Sequence, residues 1–379
     1  MKNILWFDEI GIADVPSVGG KNASLGEMIK AVVSQGVSVP FGFATTAEAY
    51  FYFLSSTGLD KKIEEVLKNL DIHDLKQLAI KGEEVRDLIL SSQLPKELSD
   101  DIISAYKKLS EKYGLPATDV AVRSSATAED LPGASFAGQQ ETYLNVVGPE
   151  NVLEAVKKCF ASLFTDRAIV YRQEMGFSHT KVGLSAGVQK MVRSDLGASG
   201  VMFSCDTESG FGDIVLINAS YGLGENVVQG QVEPDQYYVF ETTLKKGLAS
   251  PGEAGGFKPV IEKKIGSKVI KMVYNNIPRP EGARLAQRNW AATKNIATTK
   301  KEREKFVLNN DEILILAKWS IIIEEHYQKS MDMEWAKDGR DGKLYIVQAR
   351  PETVQSRKDL KFLEEYILKI PNPKSQKCY

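Results

Sequence analysis

Near Gly183 the hydrophobic pattern changes period, and that change limits the folds open to the chain. Before it, apolar residues recur at helical spacing. Ile102, Tyr106, Leu109 and Tyr113 fall at i, i+4, i+7 and i+11, one apolar face on a helix within 59–113. Val152, Val156, Cys159, Phe160 and Leu163 trace a second such face. After it, short strand-like runs at 184–192, 200–203, 214–218 and 237–240 are separated by Gly, Ser and Asp clusters. The pattern predicts a mixed α/β (α+β) chain with a helix-rich first lobe and a strand-rich second lobe. A cleft between two lobes is a usual place for a ligand.

The ends of this frame are also readable. A short strand at 4–7, a Gly-Gly-Lys loop and a helix over 23–34 open the chain; Asp166 is a candidate N-cap. Residues 276–310 are polar and charged and read as a surface excursion. A helix over 311–327 precedes two strands around the turn at 338–342. The expected division is 1–192 for the first lobe, with a helical insertion over 59–114, 193–355 for the second, and a tail over 356–379.

Composition narrows the class. With 379 residues the chain exceeds one ordinary domain. Its 48 basic and 50 acidic residues nearly cancel, so no basic surplus points to nucleic acid or an anionic membrane. Cys159, Cys205 and Cys378 lie far apart without CxxC spacing, which suits free thiols in a reducing compartment. Acidic residues interrupt the N-terminal apolar run early, and no run approaches the roughly 20 residues that span a bilayer. A soluble, cytoplasmic protein is expected.

Three segments could carry chemistry. Gly19-Gly20-Lys21 lets backbone approach a ligand and ends on a charge suited to phosphate, although it is not a Walker A loop, because position 22 is Asn. An ordinary surface turn reads equally well from three residues. Arg123 ends a strand before a small-residue loop over 124–138, a planar fork for phosphate oxygens or an arginine paired with a surface acid. In the closing hairpin, Asp332 and Glu334 share one strand face, and Leu344, Ile346, Gln348 and Arg350 share one on the other strand. A turn centred near Arg340 sets Asp332 opposite Gln348, with Glu334 diagonal to it. Carboxylates beside an amide oxygen are hard ligands of the kind Mg²⁺ takes next to phosphates. A solvated polar face is the alternative. Between these segments, an interlobe strand edge at 185–192 could pair with adenine, aided by Gln189, and Tyr221-Gly222-Leu223-Gly224-Glu225-Asn226 could form a glycine turn close to a nucleotide; a purely structural role is the default for either.

Together the strings VGGKNASLGEM, AVRSSATAEDLPGASFAGQQETYLNV, FTDRAIVYRQEMGF, GVQKMVRSDLGASGVMFS, ASYGLGENVVQGQVEPDQYYV and MDMEWAKDG with LYIVQARPETV resemble the nucleotide-binding domain of the phosphoenolpyruvate synthase (pyruvate, water dikinase) family, from about 3 to 354. The resemblance implies an ATP-grasp-type fold that binds ATP and Mg²⁺. It implies that Lys21, Arg123 and Arg350 grip the phosphates as catalytic groups. It further implies Glu334 and Gln348 as Mg²⁺ ligands with Asp332 beside them, Gly138 and Thr142 lining the phosphate side, and Gln189, Met191 and Val192 on the adenine side. In the family a histidine on a swivelling domain takes a pyrophosphoryl group from ATP, AMP leaves, phosphate is lost to water, and pyruvate, bound on a barrel, receives the remaining phosphoryl group. His73, His179 and His326 lack that histidine's Gly-Gly-x-Thr-Cys/Ser-His context, so the swivel domain and barrel are expected elsewhere. Phe41 stands where the family more often has proline. The reading is therefore the ATP-binding part of an enzyme; the alternatives are a non-catalytic ATP-binding module or a phosphotransferase with another acceptor.

Overall fold

The structure, a computed structural model, describes residues 2–127, 141–249, 258–275 and 293–352. It mixes helix and sheet in the order the periodicity predicts. β1 (Ile4–Trp6) leads into α1 (Val15–Ala31), and β2 (Gly42–Thr45) runs into α2 (Ala47–Thr57). The Thr46 hydroxyl accepts the Ala49 N–H at 3.1 Å and so satisfies an orphan donor at the start of α2. Three helices follow, α3 (Leu59–Leu67), α4 (Leu75–Ser91) and α5 (Lys96–Lys112), then β3 (Val120–Ala126), β4 (Thr142–Val146), α6 (Pro149–Ser162), α7 (Asp166–Glu174) and β5 (Leu184–Lys190). The predicted apolar faces are buried: Ile102, Tyr106 and Leu109 on α5, and Val152, Val156, Cys159 and Phe160 on α6. Tyr113 escapes because it caps α5 and leaves the helical stripe. Thr165, not Asp166, is the N-cap of α7. The five strands pair antiparallel in the order β1-β2-β5-β3-β4.

The second part continues with β6 (Ala198–Phe203), β7 (Ile214–Tyr221), α8 (Glu225–Val228), β8 (Asp235–Phe240), α9 (Glu241–Ala249) and β9 (Val260–Lys264). Then come β10 (Ile270–Tyr274), β11 (Thr293–Ala297), α10 (Lys300–Arg303), α11 (Asn310–Tyr327), β12 (Met331–Lys337) and β13 (Leu344–Pro351). Six of these strands form one antiparallel sheet, β13-β12-β6-β7-β8-β9, and β10 pairs with β11 separately. The expected surface excursion over 276–310 is largely exposed where it is described, and it carries structure of its own: 293–297 is a strand, and α10 follows it. Among the described residues no helix is long and apolar enough to cross a membrane.

α1 sits where the two parts meet. One face of the first sheet packs Phe43, Val122, Ala186 and Val188 against Tyr50, Phe53 and Phe160. The other face receives α1. There Asn22 donates to the Ser185 hydroxyl at 2.9 Å, and Gly187 leaves room for the Asn22 side chain. Val18, Ala23, Leu25 and Met28 of α1 belong to the second core, with Met202, Ile217, Trp335 and Ile346 of the larger sheet and Ile313 and Leu316 of α11. The predicted Gly-Gly-Lys loop is absorbed into α1 as a break: Gly19 has φ 71° and ψ 165°, a conformation open essentially only to glycine. A side chain there would also meet the Ser125 carbonyl of β3, 2.6 Å from its Cβ.

Candidate nucleotide site

The break at Gly19 brings the start of α1 against β3, and Lys21, half-buried, lies two residues further along. Arg123, the half-buried residue within β3, reaches across to the second sheet. Its Nη1 donates to the Val347 carbonyl at 3.3 Å, and its Nη2 lies 3.6 Å from Glu334 Oε2. Thr142 of β4 stands directly opposite Arg123. The sequence-predicted groups Arg123, Thr142, Glu334 and Gln348 are thus brought to one seam between the sheets.

The register of the closing hairpin differs from the expectation. Glu334 lies directly opposite Gln348, and Asp332 opposite Arg350, because the ladder shifts by one residue between Glu334 and Trp335. The extra residue on β13 is Val347, with Ile346 paired to Trp335 on one side of it and Gln348 to Glu334 on the other. Such a bulge turns the strand over. Leu344 and Ile346 therefore enter the core with Trp335, while Gln348 and Arg350 share a face with Glu334 and Asp332; the expected common face of all four β13 residues does not form. The bulge has a second effect, since the Val347 carbonyl it frees is the one that Arg123 engages.

Each arginine already has a carboxylate. Arg350 places Nε and Nη2 both 2.8 Å from Asp332 Oδ2. Burial pushes the Asp332 carboxyl above its ordinary range; Arg350 pulls it back, while Glu334 and Glu352 push it further up. Gln348 is 8% exposed. Among the described residues no three His, Cys, Asp or Glu side chains converge to hold a metal ion. Glu334 and Gln348 still supply two adjacent oxygen donors, and Mg²⁺ ordinarily takes only one or two protein carboxylates and leaves the rest to phosphates and water. The donor set fits that ion.

The strand expected to offer adenine an open edge does not do so at Gln189. β5 is a central strand, with Gln189 paired to Gly42 on one side and Ala121 on the other, so its backbone is not an open edge. The Gln189 amide is buried and donates to the Pro40 carbonyl at 3.2 Å. The Met191 N–H donates to the Asp119 carbonyl at 3.0 Å and its carbonyl accepts from Lys190 Nζ at 2.6 Å, so open backbone begins only past Met191. Met191 joins a small apolar cluster with Ala121, Leu223 and Tyr274 that links the two sheets, and Val192 is buried beside it. Gly138 lies outside the described residues.

Sequence reasoning missed two acids at the seam. Glu225 opens α8 and feels the Arg123 charge, and Glu141, which precedes β4, repels Glu225. The Gly222-Leu223-Gly224 turn was the signal, since Gly222 (φ 86°) steers the chain from β7 back over Ser199, whose hydroxyl donates to the Gly222 carbonyl at 2.6 Å. The acid at the turn's end carried no mark of its own.

Sequence comparison agrees with this frame. The chain belongs to the pyruvate phosphate dikinase AMP/ATP-binding domain family, whose pattern matches residues 15–366. It is 55% identical over 374 residues to the phosphoenolpyruvate synthase of Aquifex aeolicus, covering 97% of this chain and 41% of that protein. It is 55% identical over 376 residues to the phosphoenolpyruvate synthase of Synechocystis sp., covering 97% and 44%. Against that of Escherichia coli the identity is 50% over 365 residues, covering 96% and 43%. The chain spans less than half the length of these relatives.

Proposed function

We infer that this chain is the ATP-binding portion of a phosphoenolpyruvate-synthase-type dikinase. Residues 1–192 and 193–355 act as the two lobes of an ATP-grasp-type clamp that passes a pyrophosphoryl group from Mg–ATP to a histidine on another domain or subunit. The observation that carries this reading is Arg123, a cation from one sheet that meets Glu334 and the Val347 carbonyl of the other at the seam. A phosphate chain entering there offers Arg123 and Arg350 stronger, doubly charged partners than the single carboxylates they now hold. Lys21 adds a point charge from the start of α1, and Thr142, beside Arg123, lines the same side. Glu334 and Gln348 hold Mg²⁺, which neutralises phosphate charge when bound. Met191, Val192 and the backbone past Met191 take the adenine side.

In this scheme the histidine nitrogen attacks the β-phosphorus, the bond to the α-phosphate bridging oxygen breaks, and AMP leaves with that electron pair. Lys21, Arg123 and Arg350 orient the chain of phosphates and offset the charge that develops on the bridging oxygen. Positioning and charge neutralisation account for most catalysis in phosphoryl transfer. Hydrolysis of the distal phosphate and transfer to pyruvate belong to the rest of the reaction, from pyruvate, ATP and water to phosphoenolpyruvate, AMP and phosphate.

Calorimetry tests the first requirement. The chain is expected to bind ATP in excess Mg²⁺ and to form no phosphoenolpyruvate from pyruvate by itself. Absence of any ATP binding, or pyruvate-dependent AMP formation by the chain alone, contradicts the reading.

A further inference from the structure

The carboxylate of Glu225 has no role in the site as described so far, and its placement asks for one. The turn Gly222-Leu223-Gly224 carries the chain off β7 and seats Leu223 in the apolar cluster with Ala121, two residues before Arg123. A Cβ on Gly224 would lie 3.6 Å from Ser199 Oγ of β6. Two residues further along β6, Val201 pairs with Glu334. Glu225 therefore leaves the turn beside the strand pair that carries Glu334. Among the described residues no hydrogen bond or ion pair engages its carboxylate.

Its surroundings are sharply charged. Burial pushes the Glu225 carboxyl up; Arg123 pulls it down, and Glu334 and Glu141 push it up again. Glu334 lies 3.6 Å from the Arg123 guanidinium, and Glu225 feels the charge of both and of Glu141, an excess of negative charge at the seam. Gln348, opposite Glu334, is nine-tenths buried, and no described residue hydrogen-bonds its amide. An unpartnered amide on a nine-tenths buried side chain and surplus carboxylates beside it together suit a cation, because charge left uncompensated in a half-buried site is costly.

Resting on the proposed Mg–ATP reading, we propose that Glu225 is a further cation-facing residue of this site, holding the divalent ion of the metal–nucleotide complex directly or through one of its waters. The ion keeps several waters when bound, so a carboxylate just outside the Glu334–Gln348 pair can act on it without entering its inner ligand set. The proposal makes an asymmetric demand. Toward the metal complex the Glu225 charge is attractive, whereas toward bare ATP it faces phosphates and is repulsive.

Calorimetric titration of the folded 379-residue chain with ATP, once in excess Mg²⁺ and once in EDTA, separates these effects. Glu225→Gln keeps the shape and removes the charge. It should weaken Mg–ATP binding about tenfold or more, the size of loss seen for groups that support a bound metal. Metal-free ATP should bind the variant as tightly as the wild type, or more tightly. Glu225→Asp, which keeps the charge but shortens its reach, should fall between the two in Mg²⁺. Bound Mn²⁺, substituted for Mg²⁺ and followed by its effect on water proton relaxation in the ternary complex, should show altered hydration in Glu225→Gln. Equal losses with and without metal would mark a structural role and overturn the proposal, and so would no loss at all. If the wild type binds no ATP under either condition, the Mg–ATP reading itself falls, a result distinct from a wild type that binds normally beside an unaffected variant.

Discussion

At the scale of single residues, the site is a set of charges that already hold one another. Arg123 meets Glu334 and Arg350 meets Asp332, so each proposed phosphate-binding arginine is paired with an acid proposed for the metal side. Mg²⁺ arriving alone must draw Glu334 from Arg123, and ATP arriving alone must draw Arg123 from Glu334. Arriving together, they satisfy both. Metal and nucleotide are therefore expected to bind with positive coupling, each raising the affinity for the other by the same factor. Glu334→Ala and Gln348→Ala should each weaken ATP binding strongly in Mg²⁺ and little in its absence, as two-condition calorimetry would reveal. Equal losses in both conditions would contradict the ligand assignment. Much of this set was legible in the sequence, since Lys21, Arg123, Glu334 and Gln348 stood in suggestive strings. Glu225 was not, because a single acid after a glycine turn looks like any surface glutamate until the fold shows what it faces.

At the scale of elements, legibility followed periodicity. α5, α6 and α11 were readable because one apolar face persists over several turns; α11 buries Ile313, Leu316, Ala317 and Ile321, with its start fixed by the Asn309–Glu312 capping box. β11 was not, because Thr293-Lys294-Asn295-Ile296-Ala297 has no apolar alternation and is held by its pairing with β10. The Asp332–Glu334 face of the hairpin is legible, but neither its register nor the face of β13 is, since the bulge at Val347 goes with packing Ile346 beside Trp335 and not with any turn residue. Gly19 was read as a loop glycine because nothing local announces that Ser125 lies against it. Gly19→Ala tests that contact. With the backbone in a glycine-only region, the substitution should cost about 1–3 kcal/mol in urea unfolding and lower ATP affinity through the displaced Lys21. Unchanged stability and affinity would mean that the break in α1 has no part in shaping the site.

At the scale of the whole molecule, α1 fills one face of the first sheet and the core of the second, while the opposite face of the first sheet carries the helical layer. The two sheets therefore meet across a helix that holds Lys21 and a seam that holds Arg123. A module that only binds ATP and one that transfers its phosphates can share this architecture. They differ in what the cations do at the transition state: a contact equal in ground and transition states changes affinity, whereas one that strengthens as the bond breaks changes turnover.

The measurement that separates them is AMP release from ATP, with a folded histidine-bearing swivel-domain fragment of a related synthase as acceptor. The wild-type chain should release AMP. Arg123→Ala should keep ATP affinity within about tenfold while AMP release falls about 100-fold or more, as when one preorganised electrostatic group is lost. Lys21→Ala should behave likewise, with a larger loss of affinity, because an ammonium grips phosphate already in the ground state. No AMP release from the wild type with a verified folded acceptor, and substitutions that alter binding alone, would contradict the account.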